Sequence, residues 1–387
     1  MLTERALPHG RASAPRTAFN IQSLSLALIV FDSEWCSMRL LNLRRFVICL
    51  LAVAAMPTIA AADTGTLLVL NKSDNTVSLI DLATRTAVAT IPTGAGPHEV
   101  AVSFNGKIAV IANYGTQQAP GSSLTVIDVA GKKTLKTIDL GEYRRPHGIQ
   151  WLRGNEIVVT AEGNKALLIV DIESGKVAAV PTDQNVSHMV VISRRYEKAF
   201  VANIGSGSVT VVDLKTRQKI SDIATGAGAE GIDILSGDKE VWVTNRAANT
   251  ISIIDVISLK VVATLESKDF PIRVKFAPGG RFVLVSNARS GDVAVFDAVT
   301  RKEVQRIPMM LKAAEGSTSG QRLFGNQFGQ SPVPVGILVS PKLSHAFIAN
   351  TNADIVTMID LKTWQVTGRL TAGKEPDGLG YSPMTVK

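Results

Sequence analysis

Three of the five histidines in this chain stand at one matched position of a repeating pattern. His98, His147 and His188 lie fourteen or fifteen residues before a recurrent residue that ends a short apolar run. Further along the chain the same position holds Glu230, Ile272, Val335 and Asp377. Neutral imidazoles are ligands for Zn, Cu, Fe and Ni. Three of them, with Glu230 next in the series and Asp377 next on the other side, form a candidate site of three histidines, with or without a carboxylate. Such a site could hold a divalent transition metal (Zn, Cu or Fe) and polarise a bound water. The same residues also suit metal-free acid–base chemistry. One imidazole, with His147 as the candidate, would be the base, Glu230 would orient it, and Arg273, Arg144 or Arg145 would hold an anionic substrate. A third reading makes the histidines structural, each hydrogen-bonded to nearby loop carbonyls. His345 falls between two apolar runs and is expected in a solvated turn.

The elements that position these residues follow from the repeat. An Asn closes a short apolar run at Asn71, Asn113, Asn203, Asn245, Asn287 and Asn350, with Ala161 taking the place in the one exception. The spacings are 42, 48, 42, 42, 42 and 63 residues. An Asp follows at Asp81, Asp128, Asp171, Asp213, Asp255, Asp297 and Asp360, ten residues on in six of the seven units. The Asn is expected to bond turn backbone and the Asp to close an Asx turn after the third strand. Each unit holds four short runs rich in β-branched residues; in one they are MVVIS, AFVAN, SVTVVD and KISDI. Four antiparallel strands per unit of about 42 residues is the pattern of a propeller blade. The sequence therefore predicts an all-β, seven-bladed β-propeller over 63–387. The strand near 378–382 would pair with the one at 66–71 to close the ring and leave no free sheet edge. The matched histidine position then falls where the chain enters each innermost strand, at the mouth of the central channel. Pro precedes it in five of seven units and fixes φ there.

The first 62 residues do not share the repeat. Arg39, Arg44 and Arg45 before the apolar stretch 46–56, and the small residues Ala60–Ala62, read as a secretory signal peptide over 38–62, cleaved after Ala62. That stretch is too short to span a bilayer as a stable helix. Residues 1–37 read as a start-site overcall ahead of Met38. Cys36 and Cys49 both precede the cleavage point, so a disulfide framework, thiolate ligands and a cysteine nucleophile are not expected in the mature chain. The leader also takes six Arg and three acidic residues from the totals of 41 and 33, leaving 35 basic against 30 acidic. The remaining basic residues are scattered and aromatics are few, which disfavours nucleic acid as a partner.

These features resemble the YVTN-repeat propeller family. The matching strings are VWVTN at 241–245, FVANIGSGSVTVVDL at 200–214 and the turns near Gly94–Pro97 and Gly373–Pro376. The resemblance covers 63–387 and implies the propeller fold; such propellers serve as enzymes, ligand binders and scaffolds. It also implies an accessory role beside periplasmic oxidoreductase or metal-handling systems. A shorter likeness, PHEV at 97–100, ANYG at 112–115 and PHGI at 146–149, is to lactonase-type propellers. It implies ring-opening chemistry by His and charged residues at the channel mouth. The functional expectation is a monomeric periplasmic protein that presents this mouth to a small-molecule ligand or a periplasmic protein partner, with no transmembrane segment in the mature chain. The candidate ligand-binding set is His98, His147, His188, Glu230, Asp377, Arg144 and Arg145. A metal-dependent or lactonase-like hydrolase is the alternative, and a DNA-binding propeller comes last. The insertion at 309–334, with Met309, Met310, Leu311, Phe324 and Phe328 among Gly, Ser and Gln, is expected to form a lid over the histidines.

Overall fold

The computed structural model describes residues 63–309, 322, 324–325, 327–340 and 342–387. The expected signal peptide over 38–62 and the segment before it lie outside the described residues, as does the stretch 310–321 of the insertion. The described chain forms seven four-stranded antiparallel sheets, each one blade. The single helical element among the described residues is the short 3-10 turn Glu162–Asn164. No helix among them is long and apolar enough to cross a membrane.

Alternation of side chains explains how the blades stack. In the second and third strands, such as Lys198–Asn203 and Ser208–Asp213, nearly every residue is buried, because both faces of the sheet meet a neighbouring blade. The outer strands alternate exposed and half-buried residues, as in Gln218–Ala224. Val, Ile, Leu and Ala fill the spaces between blades, with Trp242, Phe200 and Phe347 the largest fully buried side chains. The innermost strands crowd the axis. A Cβ on Gly148 would meet the His188 carbonyl oxygen at 2.5 Å, and one on Gly378 would meet that of His98 at 2.2 Å.

The first blade is built from both ends of the described chain: Pro376–Ser382 pairs with Thr66–Asn71, joining Thr66 to Ser382. The repeated Asn does more than bond turn backbone. Asn71 donates from Nδ2 to Thr76 and Ser78 hydroxyls at 3.0 and 2.9 Å, and accepts the Gly373 N–H at 2.9 Å. Asn113 accepts the Gly94 N–H in the same way, so this side chain ties one blade to the loop leaving its neighbour. The repeated Asp closes Asx turns as expected; Asp213 accepts the N–H groups of Lys215 and Thr216 at 2.9 and 2.7 Å.

His345 is not solvated. It begins the strand His345–Asn350, and its Nδ1 meets Asp63 Oδ2 at 2.7 Å, while Asp63 Oδ1 accepts the Ser344 N–H. A carboxylate buried at the start of the described chain needs these donors, which holds the ring in place.

Candidate functional site at the channel mouth

The residue two before the matched position has left-handed φ in all seven blades: Gly96, Arg145, Val186, Gly228, Phe270, Val333 and Glu375, with φ between 55° and 79°. Directly after it, pairing between the innermost and second strands shifts register, as between Pro97 and Val100 or Ser187 and Val190. Such irregularities re-aim side chains. His98, His147, His188, Glu230, Ile272, Val335 and Asp377 thereby line one cavity of about 300 Å³.

A second ring interleaves with the first. The residue following the Asn landmark places Lys72, Tyr114, Glu162, Ile204 and Arg246 on the same cavity wall. Glu162 follows Ala161, the unit where the landmark fails, so following the Asn column led past it. Lys72, Tyr114 and Arg246 share that column, which was the signal available.

The side chains meet as a network. His147 and His188 stack with ring centroids 3.7 Å apart, and His98 stands edge-on to His147 at 5.1 Å. His188 Nδ1 contacts Glu162 Oε1, and its Nε2 lies 3.3 Å from Glu230 Oε1 without hydrogen-bonding geometry. The Tyr114 hydroxyl donates to the other Glu162 oxygen at 2.7 Å. Glu230 also receives Arg246 and Arg273, the latter at 3.1 Å, and Arg273 crosses the channel to Glu99 at 2.9 Å. Lys72 pairs with Asp377 at 3.0 Å. His98 Nδ1 bonds the Gly96 carbonyl oxygen at 2.8 Å, which is the structural role that a lone loop histidine would have. Two more buried atoms on this wall have no partner: His147 Nδ1 and Asp377 Oδ1.

Charge follows from this wiring. Burial, with Lys72 nearby, lowers the His98 pKa from 6.5 to about 3. Burial and the neighbouring His188 hold His147 well below the usual imidazole range. Burial opposes protonation of His188 too, but Glu162 and Glu230 outweigh it and raise its pKa. For Glu230, burial favours the acid form, yet Arg246, His188 and Arg273 prevail and lower it from 4.5 to about 2. In the stack, burial favours the neutral form of His147, while the carboxylates on either side of His188 favour its charged form.

Of the residues singled out in the sequence, His98, His147, His188, Glu230, Arg273 and Asp377 come together in this cavity. Arg144 and Arg145 are placed elsewhere. Arg144 is exposed and bonds the Gly141 carbonyl; Arg145 lies over the Tyr114 ring at 5.0 Å and donates to the Gln117 carbonyl. Arg145 is the left-handed residue of this blade and Arg144 precedes it; neither lines the cavity. Arg273, Arg246 and Lys72 are the cations inside. The three-histidine set for a metal also changes: the donors that gather within 4.8 Å of one another belong to His147, His188 and Glu162, without His98. From the insertion, Phe324 and Gln327 reach the cavity wall, and Arg322 pairs with Asp354.

A family model for YncE-like β-propellers matches residues 43–154 and 153–318, more than half of the chain. The chain belongs to the YncE-like β-propeller family. No curated protein sequence matches this YncE-like chain. Its fold is similar to that of hydrazine synthase from Kuenenia stuttgartiensis (TM-score 0.60, 17% identity, covering 75% of this chain and 90% of that one). It is also similar to the periplasmic gluconolactonase PpgL of Pseudomonas aeruginosa (0.63, 14%, 82% and 99%). A third similar structure is the dihydro-heme d1 dehydrogenase NirN in complex with DHE (0.58, 15%, 85% and 78%). At these identities the likeness is one of fold, and the YncE-like propeller's function has to be argued from its own cavity.

Proposed function

We propose that this YncE-like propeller is an exported periplasmic protein whose channel mouth binds a small, neutral, hydroxyl-rich molecule, as a binding or accessory component. The observation that carries this reading is the pair of unpartnered buried atoms, His147 Nδ1 and Asp377 Oδ1, on the wall of one cavity. Each such atom costs about 1–3 kcal/mol while unpaired, which a ligand hydroxyl would recover. The charges argue against a strongly anionic ligand, because Lys72, Arg246 and Arg273 already face Asp377, Glu230 and Glu99. The cavity of about 300 Å³ suits a molecule of sugar size.

Thermal-shift measurements against sugars, aldonolactones and polyols, in the presence of a chelator, test this. A shift from one of these classes that disappears in Asp377→Asn supports the reading; no shift from any of them sinks it. Amino-terminal sequencing of protein recovered from the periplasm, with Asp63 expected first, tests export.

One observation favours a second reading. Burial favours the neutral form of His147, the form that takes a proton from a water attacking a lactone carbonyl. Hydrolysis of an aldonolactone that falls about 100-fold or more in His147→Gln would support it. Hydrolysis at the buffer rate would dismiss it.

A further inference from the structure

We propose that His147, His188 and Glu162 form a binding site for a divalent first-row transition metal ion at the channel mouth. This deepens the reading of the mouth as a ligand site and rests on it, with the ion taking the place next to His147. Each of the three residues offers one ligand atom, and these atoms lie within 4.8 Å of one another. About 3.4 Å is needed between donors placed tetrahedrally at about 2.1 Å from an ion. Taking up an ion would part the His188–Glu162 contact, which is nearer than that, and draw His147 toward it.

Independent observations point to the same place. His147 Nδ1 is buried with no hydrogen-bond partner, one of three such atoms on this wall beside His188 Nε2 and Asp377 Oδ1. Two imidazole nitrogens and one carboxylate oxygen are the donor set of zinc and non-haem iron sites that keep open positions for a ligand. The groups around the triad hold it as outer partners hold metal ligands. Tyr114 fixes the Glu162 carboxylate through its second oxygen, at 2.7 Å. Thr160 ties the two histidine strands together: its hydroxyl donates to the His188 carbonyl at 2.7 Å and accepts the Gly148 N–H at 2.9 Å. His188 Nδ1 and Glu162 Oε1, which contact each other directly, would both have to turn to the ion. The remaining coordination positions would open on the cavity, within reach of a ligand hydroxyl.

The test is equilibrium dialysis of metal-stripped full-length protein against Zn²⁺, with Co²⁺ visible absorption as a reporter of the donor set. Wild type is expected to take up a single ion per chain. His147→Ala and Glu162→Gln should each lower affinity by about 100-fold or more, and Tyr114→Phe, which leaves all three donors in place, by about 10-fold. Should His147→Ala fail to fold, the near-isosteric Glu162→Gln and Tyr114→Phe still decide. No uptake by folded wild type overturns the site. So does unchanged uptake by Glu162→Gln combined with loss in His98→Ala, which would return the metal to the three histidines. A thermal shift with an organic ligand in chelator, without Zn²⁺ uptake, overturns the metal alone. Zn²⁺ uptake without any such shift supports the metal and overturns the organic-ligand reading.

Discussion

The two halves of the channel mouth are built on one backbone plan and filled oppositely. From the second blade to the fifth, the matched position carries His98, His147, His188 and Glu230, all buried, with His188 and Glu230 wired to charged neighbours. In the sixth and seventh blades it carries Ile272 and Val335, packed with Ala288, Val333 and Phe328. The insertion lands on the apolar half, where Phe328 stacks near Phe270 and Phe324 at 5.0 and 5.3 Å. The backbone irregularity at this position therefore only aims a side chain, and residue type decides what the aim achieves. One half concentrates charge behind a small cavity, and the other gives the insertion something to rest on.

The largest expected effect breaks the polar half. Glu230→Ala leaves Arg246 and Arg273 without their shared carboxylate, and breaking a buried ion network in this way costs about 3–5 kcal/mol. Denaturant unfolding measures it, and a loss under about 1 kcal/mol would mean the network holds little. Next comes the apolar half. Phe328→Ala should cost about 3 kcal/mol through lost aromatic packing, with no change in the acid sensitivity described next.

That acid sensitivity belongs to the polar half alone. His98 and His147 stay neutral in the folded protein while unfolded imidazoles protonate below about 6.5, so the unfolded state binds more protons and stability falls as pH drops from there. Each contributes a slope of up to about 1.4 kcal/mol per pH unit. His188 runs the other way: its contribution is complete below about 6.5 and is lost as pH rises through its raised pKa. Glu230 adds a further loss as pH falls from 4.5 toward about 2. Unfolding measured between pH 7 and 5 should therefore show a slope that His98→Asn reduces; an identical slope in that variant would refute the assignment. The smallest effect is expected from Arg144→Ala, within about 0.5 kcal/mol in stability and without change in ligand-induced thermal shift, since Arg144 lies in the outer turn.

The fold was legible because a propeller repeats its instructions: each 42-residue unit restates the same four strands, and the Asn and Asp landmarks keep the register visible. The inner ring of site residues was legible for the same reason, because alignment against the landmark stacks His98, His147 and His188 in one column. Glu162 escaped because it belongs to the adjacent column, and its unit is the one whose landmark is Ala161. Arg144 and Arg145 misled because proximity in sequence to His147 says nothing about direction. Arg145 is itself the left-handed residue before the matched position, and no residue-type pattern marks that conformation, since Arg, Val, Phe and Glu all occupy it here. His345 misled because its partner, Asp63, lies 282 positions away.

The split first blade has a kinetic meaning. Most pairings in the ring join residues within one repeat, so six blades can form from neighbouring stretches of chain on their own. The joint between Thr66–Asn71 and Pro376–Ser382 instead links strands more than 300 positions apart. Loop closure of that length costs about 4 kcal/mol more than a hairpin, because the entropy grows only with the logarithm of length, yet the search is slow. Closing the ring is therefore expected to be a slow step of folding, and until it happens the strands on either side of the joint lack a partner. An unpaired strand edge of that kind is where one chain can pair with another, and the Asp63–His345 contact joins residues 282 positions apart beside the same joint.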